Sequence, residues 1–134
     1  MKKIILTCLC LCFKISILFA ENIVFNNETN YPAIDKPGKI AVQWAPTTEA
    51  IQKANKSITT GSPLEVNSLM MLSQKGKIEL TPPDSAHYFR VVVWSTDKKE
   101  PDFLTNWIDI VANKTYTLNQ DQLIPAILMS GSGC

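Results

Sequence analysis

Turn-forming residues recur about every ten positions along this chain, and that punctuation limits it to short elements. Polar or proline- and glycine-bearing breaks fall at Asn26-Asn27-Glu28-Thr29-Asn30 with Pro32, at Asp35-Lys36-Pro37-Gly38, at Lys75-Gly76-Lys77, at Thr81-Pro82-Pro83, across 95–101 and at Asn113-Lys114. Between them lie runs with the two-residue period of strands. Residues 22–26 place Ile23 and Phe25 on one face and Val24 on the other, and read as an edge strand. In Lys39-Ile40-Ala41-Val42-Gln43-Trp44 the residues Ile40, Val42 and Trp44 share a face, with Trp44 as the large core anchor. Tyr88-Phe89-Arg90-Val91-Val92-Val93-Trp94 is β-branched or aromatic almost throughout and is expected at the centre of a sheet, covered on both sides.

One segment changes period. Over 46–56, Pro46 cannot continue a strand, Thr47 or Thr48 can cap, and Ala50, Ile51 and Ala54 fall on one helical stripe. Residues 57–63 read as a loop, and 64–72 as a strand despite the unbroken Leu69-Met70-Met71-Leu72. Residues 103–111 form another strand, and 123–129 a last one that Pro125 confines to an edge or a bulge. Seven or eight short strands and one short helix describe a mainly β chain, an antiparallel β-sandwich. Within 110–118, Tyr116 sits where a strand-entry tyrosine would bond back to the upstream backbone, a corner found in immunoglobulin-like and fibronectin-III-like sandwiches; an ordinary cross-strand aromatic is the alternative.

The first twenty residues read as a signal peptide: Lys2 and Lys3, an apolar run over 4–13, and Ala20 before Glu21. Lys14 interrupts the run and Leu18 is a poor fit two residues before Ala20. As an uncleaved anchor, 4–19 falls short of the roughly 20 apolar residues a bilayer needs. The expected organisation is a signal at 1–20, a single β-domain at 21–130 and a flexible tail at 131–134. Cleavage would remove three of the thirteen basic side chains and leave twelve acidic ones, a net charge of about −2. That balance excludes nucleic acid as the expected partner. No integral membrane span is expected after cleavage, and the protein is placed in the periplasm or outside the cell.

Cys8, Cys10 and Cys12 lie in the leader, so Cys134 alone remains, behind Ser130-Gly131-Ser132-Gly133. It either bridges two chains as a disulfide-linked homodimer or packs as a small apolar terminus. With His87 the single histidine, no His-rich metal site is expected, and no cofactor. Asp84, Ser85 and His87 hold the residue types of a hydrolytic triad, yet lack the Gly-x-Ser-x-Gly elbow, and triads are assembled across a fold. Asp97, Glu100 and Asp102 offer oxygen ligands for Ca²⁺, but Lys98 and Lys99 stand among them. Asn27, Asn55 and Asn113 head formal glycosylation triplets. Trp44, Trp94 and Trp107 have the faces of a carbohydrate or peptide groove, although core packing accounts for the first two. Even spacing puts Leu104, Ile108 and Ile110 on one face and Trp107 on the other, making Trp107 the candidate contact residue.

The leader, Gly38-Lys39-Ile40-Ala41-Val42-Gln43-Trp44, the run 88–94 and the Ser-Gly-Ser-Gly-Cys end together resemble small secreted or periplasmic proteins of Gram-negative bacteria, intracellular pathogens included, in which a Lys-Lys leader precedes an Asn-rich β-domain. The resemblance implies export, with onward passage through a secretion system for folded substrates as one route, and no set activity. Two functions follow as expectations. The first is a non-enzymatic, virulence-associated interaction module that binds a protein or glycan through loops or an edge strand. The second is a small secreted hydrolase using His87.

Overall fold

The computed structural model describes residues 22–130. Nine strands follow in order: β1 (Ile23–Glu28), β2 (Lys39–Ala45), β3 (Leu69–Met71), β4 (Gly76–Leu80), β5 (Tyr88–Trp94), β6 (Phe103–Leu104), β7 (Ile108–Asp109), β8 (Thr115–Asn119) and β9 (Ile124–Pro125). Helix α1 (Thr48–Thr60) links β2 to β3, and α2 (Ile127–Ser130) follows β9. The protein is thus mainly strands with one substantial helix. A three-stranded sheet has the order β4-β1-β8, and a six-stranded one the order β3-β2-β5-β6-β9 with β7 also on β5. All pairings are antiparallel except β1 with β8, which run parallel.

Alternation decides which side chains meet. Ile23 and Phe25 of β1, Leu80 of β4, and Tyr116 and Leu118 of β8 share one buried cluster with Ile40, Val42 and Trp44 of β2 and Phe89, Val91 and Val93 of β5. Phe89 is wholly buried, edge-on to Tyr116 at 5.0 Å and 6.1 Å from Trp44. Trp44 and the 88–94 strand hold the core positions their period requires. The opposite face of β2 and β5 is also covered: Ala41, Val92 and Trp94 pack with Ile58 of α1, Leu64, Leu104 and Ala126.

Several elements depart from the sequence expectation. β1 is central in its sheet, not an edge, because both β4 and β8 pair with it. Its polar end is structural: Asn27 is 1% exposed, donates to Tyr31 O at 2.8 Å, and accepts from Thr29 N and Oγ1. Helix α1 starts as expected, with Thr47 Oγ1 accepting from Ala50 N at 3.1 Å, but runs through residues expected to be loop. Burial of Ile58 rewards that last turn, Thr60 Oγ1 bonds back to Lys56 O at 2.8 Å, and Gly61 ends it at φ 73°, a left-handed cap glycine adopts without strain. Residues 64–72 keep strand only at β3, after a 3-10 turn at Val66–Ser68. β9 lies at the sheet edge, as Pro125 demands, and the end of the expected last strand, 127–129, is helical.

The expected strand over 103–111 is split by a bulge. β6 pairs Phe103 with Val93 and Leu104 with Val92, whereas β7 pairs Ile108 with Phe89 and Asp109 with Tyr88. Thr105 bridges the junction: its N–H donates to Val91 O and its Oγ1 accepts from Val91 N, both at 3.0 Å. Asn106 and Trp107 are therefore left opposite the single residue Arg90, and the parity of the strand flips across them. Leu104 consequently faces the helix and Ile108 the inter-sheet core. The even spacing that grouped them on one face does not hold.

Candidate functional site

The bulge, β5 and α1 meet at a buried polar knot. Arg90 is 0% exposed. Its Nε donates to Gln43 Oε1 at 2.8 Å, its Nη1 donates to Asn55 Oδ1 at 3.0 Å, and its guanidinium lies 4.5 Å from the centre of the Trp107 ring. Trp107 Nε1 donates to the same Asn55 oxygen at 3.0 Å, while Gln43 Nε2 donates to Ser68 Oγ at 3.3 Å. Arg90 Nη2 has no partner among the described residues. No carboxylate is bonded to this cation among the described residues, so it is held by amide oxygens and an indole face. Burial pulls its pKa down to about 10, which leaves it charged at neutral pH. Trp107 is accordingly half-buried and fastens the helix to the sheet.

A second feature is the free edge of β8. Val24 N donates to Lys114 O at 3.0 Å, and the parallel register Val24 to Thr115 assigns the N–H and C=O of Tyr116 and Leu118 to β1. Thr115 and Thr117 point theirs the other way, out of the sheet. Asn119 follows the same alternation, with its outward N–H taken by Gln122 Oε1 at 2.7 Å. Beside this edge opens a groove of about 430 Å³, lined by Phe25, Val91, Ile108, Tyr116, Leu118 and Ile124 among others. The remaining edges are blunted by the usual devices: β4 carries Lys77 and Glu79, β9 is two residues long with Pro125, β7 is two residues long with Asp109, and β3 is three residues long. β8 has five residues and no charge. Tyr116 locks its start, since the phenol accepts from Val111 N at 2.8 Å and donates to Asp109 O at 2.9 Å. This is the upstream backbone contact expected of Tyr116.

The other sequence candidates lie apart from both features. Asp84, Ser85 and His87 are exposed, and no hydrogen bond or ion pair joins their side chains. His87 N donates to Ala45 O, and its ring packs on the edge of Tyr88 at 6.4 Å. Asp102 accepts from Ser95 N at 2.7 Å and from Ser95 Oγ, so it closes the 95–101 loop. Among the described residues no group of three His, Cys, Asp or Glu side chains is placed to hold a metal ion. Of the glycosylation triplets, the Asn27 and Asn55 side chains are committed to part-buried hydrogen bonds, while Asn113 sits on an exposed turn at φ 63°. The leader, the cleavage point before Glu21 and Cys134 lie outside the described residues.

The knot and the bulge leave little trace in the sequence, where Arg90 reads as one more strand residue. The available signal was a charge in the middle of an otherwise apolar central strand. Among the described residues no helix is long and apolar enough to cross a membrane. In comparison with known proteins, no family model matches the chain and no curated relative does.

Proposed function

We propose that this chain is an exported, non-enzymatic interaction module that captures an extended segment of a partner protein by strand addition along β8. The observation that carries the reading is the outward pair of backbone groups at Thr115 and Thr117, uncharged and beside a groove that mixes apolar side chains with the uncharged polar ones of Thr105, Asn106 and Gln122. An added strand satisfies such groups with main-chain hydrogen bonds, and its alternate side chains enter the groove for specificity. A glycan would leave that regular row of donors and acceptors poorly used, so a protein partner fits better. In this reading the two sheets form an immunoglobulin-like sandwich, antiparallel but for the β1–β8 pair. Its support is the single core shared by both sheets and the Tyr116 corner. The polar knot is then scaffold: it fixes α1 on the outer face and leaves β8 free.

Thr117→Pro tests the proposal cleanly. It deletes one of the two N–H groups that face away from β1, so it removes a docking donor and no ladder bond, together with the long 3.5 Å contact from Asn26 Nδ2 to Thr117 Oγ1. Chain isolated after export, immobilised against envelope and host extracts, should retain partners that the Thr117→Pro variant loses. His87→Ala should keep them. Undiminished capture by Thr117→Pro rejects strand addition at β8, and a hydrolytic activity lost in His87→Ala would establish the enzyme reading in its place.

A further inference from the structure

The outer face of the six-stranded sheet carries a site of different chemistry, independent of β8. Helix α1 covers this face only as far as Gly61, and beyond it opens a groove of about 510 Å³ with Leu64, Leu69 and Trp94 in its wall. Two large apolar side chains stand at it in water: Val66 is 80% exposed and Met71 50%. Lys39, Lys98 and Lys99 border the same groove with the carboxylate of Asp97, and the Glu100 carboxylate lies near its Gly61 end, so three cations face two anions. The neighbouring Glu65 does not offset them, because its carboxylate is held by Lys53 at 3.0 Å.

The loop that presents two of these lysines is built. Asp102 ties its two ends together through Ser95, and Trp94 Nε1 donates to Lys99 O at 3.1 Å. Lys39 Nζ stands 5.7 Å from the centre of the Trp94 ring. The indole N–H is consumed by that loop carbonyl, so Trp94 offers a ligand no donor. Leu64, Leu69, Val66 and Met71 offer apolar side chains. The side-chain recognition available is therefore an apolar wall with positive charge on one rim, which matches a ligand with an anionic head and an apolar body. A sugar needs several convergent hydrogen-bonding groups, and this wall lacks them.

We propose that the groove binds a single-chain anionic amphiphile, its chain along Leu64, Leu69 and Met71 and its carboxylate, sulfate or phosphate head among Lys39, Lys98 and Lys99. The test titrates the exported chain with dodecanoate below its micelle concentration, with dodecyl sulfate and dodecyl phosphate as further anionic heads. Dodecyltrimethylammonium and dodecanol are the charge controls. The expected result is saturable binding of the anionic probes, with NMR shifts at Met71 and the Trp94 indole. Affinity should fall as salt rises, and by roughly tenfold or more in the triple variant Lys39→Glu, Lys98→Glu, Lys99→Glu. Val66→Glu, at a position exposed enough to leave folding intact, should weaken binding as well.

Equal response to the cationic or neutral probe, or unchanged affinity in the triple variant, would overturn the proposal. Binding to phosphatidylglycerol vesicles without any response to dissolved monomer would also overturn it, in favour of a membrane surface. Displacement of dodecanoate by a glutamate-rich peptide of greater affinity would overturn it in favour of an acidic protein partner. Thr117→Pro should leave amphiphile binding unchanged, which separates this site from the β8 edge.

Discussion

Asn55→Ala should be among the most damaging single changes on the helix, although Asn55 is only partly buried. Its Oδ1 accepts from both Arg90 Nη1 and Trp107 Nε1, each at 3.0 Å, and Arg90 Nη2 is already without a partner among the described residues. Removing the oxygen leaves a buried cation with one side-chain acceptor, Gln43. A hydrogen bond to a charged group contributes about 1.5–3 kcal/mol and a neutral one about 1 kcal/mol. Water reaching the partly exposed position of Asn55 recovers part of this, so the loss should be about 2–3 kcal/mol. For a domain of this size a urea slope of about 1–1.5 kcal/mol/M converts that loss to a midpoint lower by about 2 M. A loss below about 1 kcal/mol would refute the claim that the knot fastens α1 to the sheet. Asn55→Asp should act in the opposite direction by giving Arg90 a carboxylate. That carboxyl would titrate below its unfolded value of about 3.9, so its stabilisation is complete above that pH and disappears as pH falls through the folded value.

Other outcomes follow from the same structure. Tyr116→Phe removes both phenol bonds to the 109–111 backbone and should cost about 1–2 kcal/mol by denaturant titration, the exposed backbone groups regaining water. His87→Ala should change stability by no more than about 0.5 kcal/mol, since the side chain is exposed. Expressed in a Gram-negative host, the exported chain should begin at Glu21, and mass spectrometry finding 1–20 intact on the exported form would reject cleavage. Under oxidising conditions Cys134 should give a covalent dimer on non-reducing gels, lost in Cys134→Ser; a thiol that resists alkylation until unfolding would mean a docked tail.

What the sequence disclosed followed from period and punctuation. The Ile40, Val42, Trp44 alternation and the apolar 88–94 run lie where the two-residue period sends them, because burial on a sheet face enforces that period. Thr47 and Pro125 had local chemistry that declares itself. The failures share a cause, which is long-range pairing. β1 looks like an edge because its polar end resembles a stop, and only its pairing with β4 and β8 on either side, with the Gln74 carbonyl brought within reach of Asn27, makes it central and Asn27 a buried anchor. A bulge leaves no mark in composition, so even spacing misplaced Leu104 relative to Ile108 and left Trp107 without its partner Arg90. The free edge at β8 was equally out of reach, since knowing which strand is unpaired requires the sheet order. The prominence of Tyr116, by contrast, was legible from nine residues.

Amide exchange along β8 tests the central claim most directly. In the free protein the Thr115 and Thr117 amides, which face away from β1, should exchange rapidly, while those of Tyr116 and Leu118 are protected by the ladder. On saturation with a captured partner, measured residue by residue by NMR, Thr115 and Thr117 should become protected together, with Thr105 and Ile108 across the groove shifting as side chains enter. Tight capture with the Thr115 and Thr117 amides still exchanging at their free rates would contradict strand addition and place the partner elsewhere on the molecule.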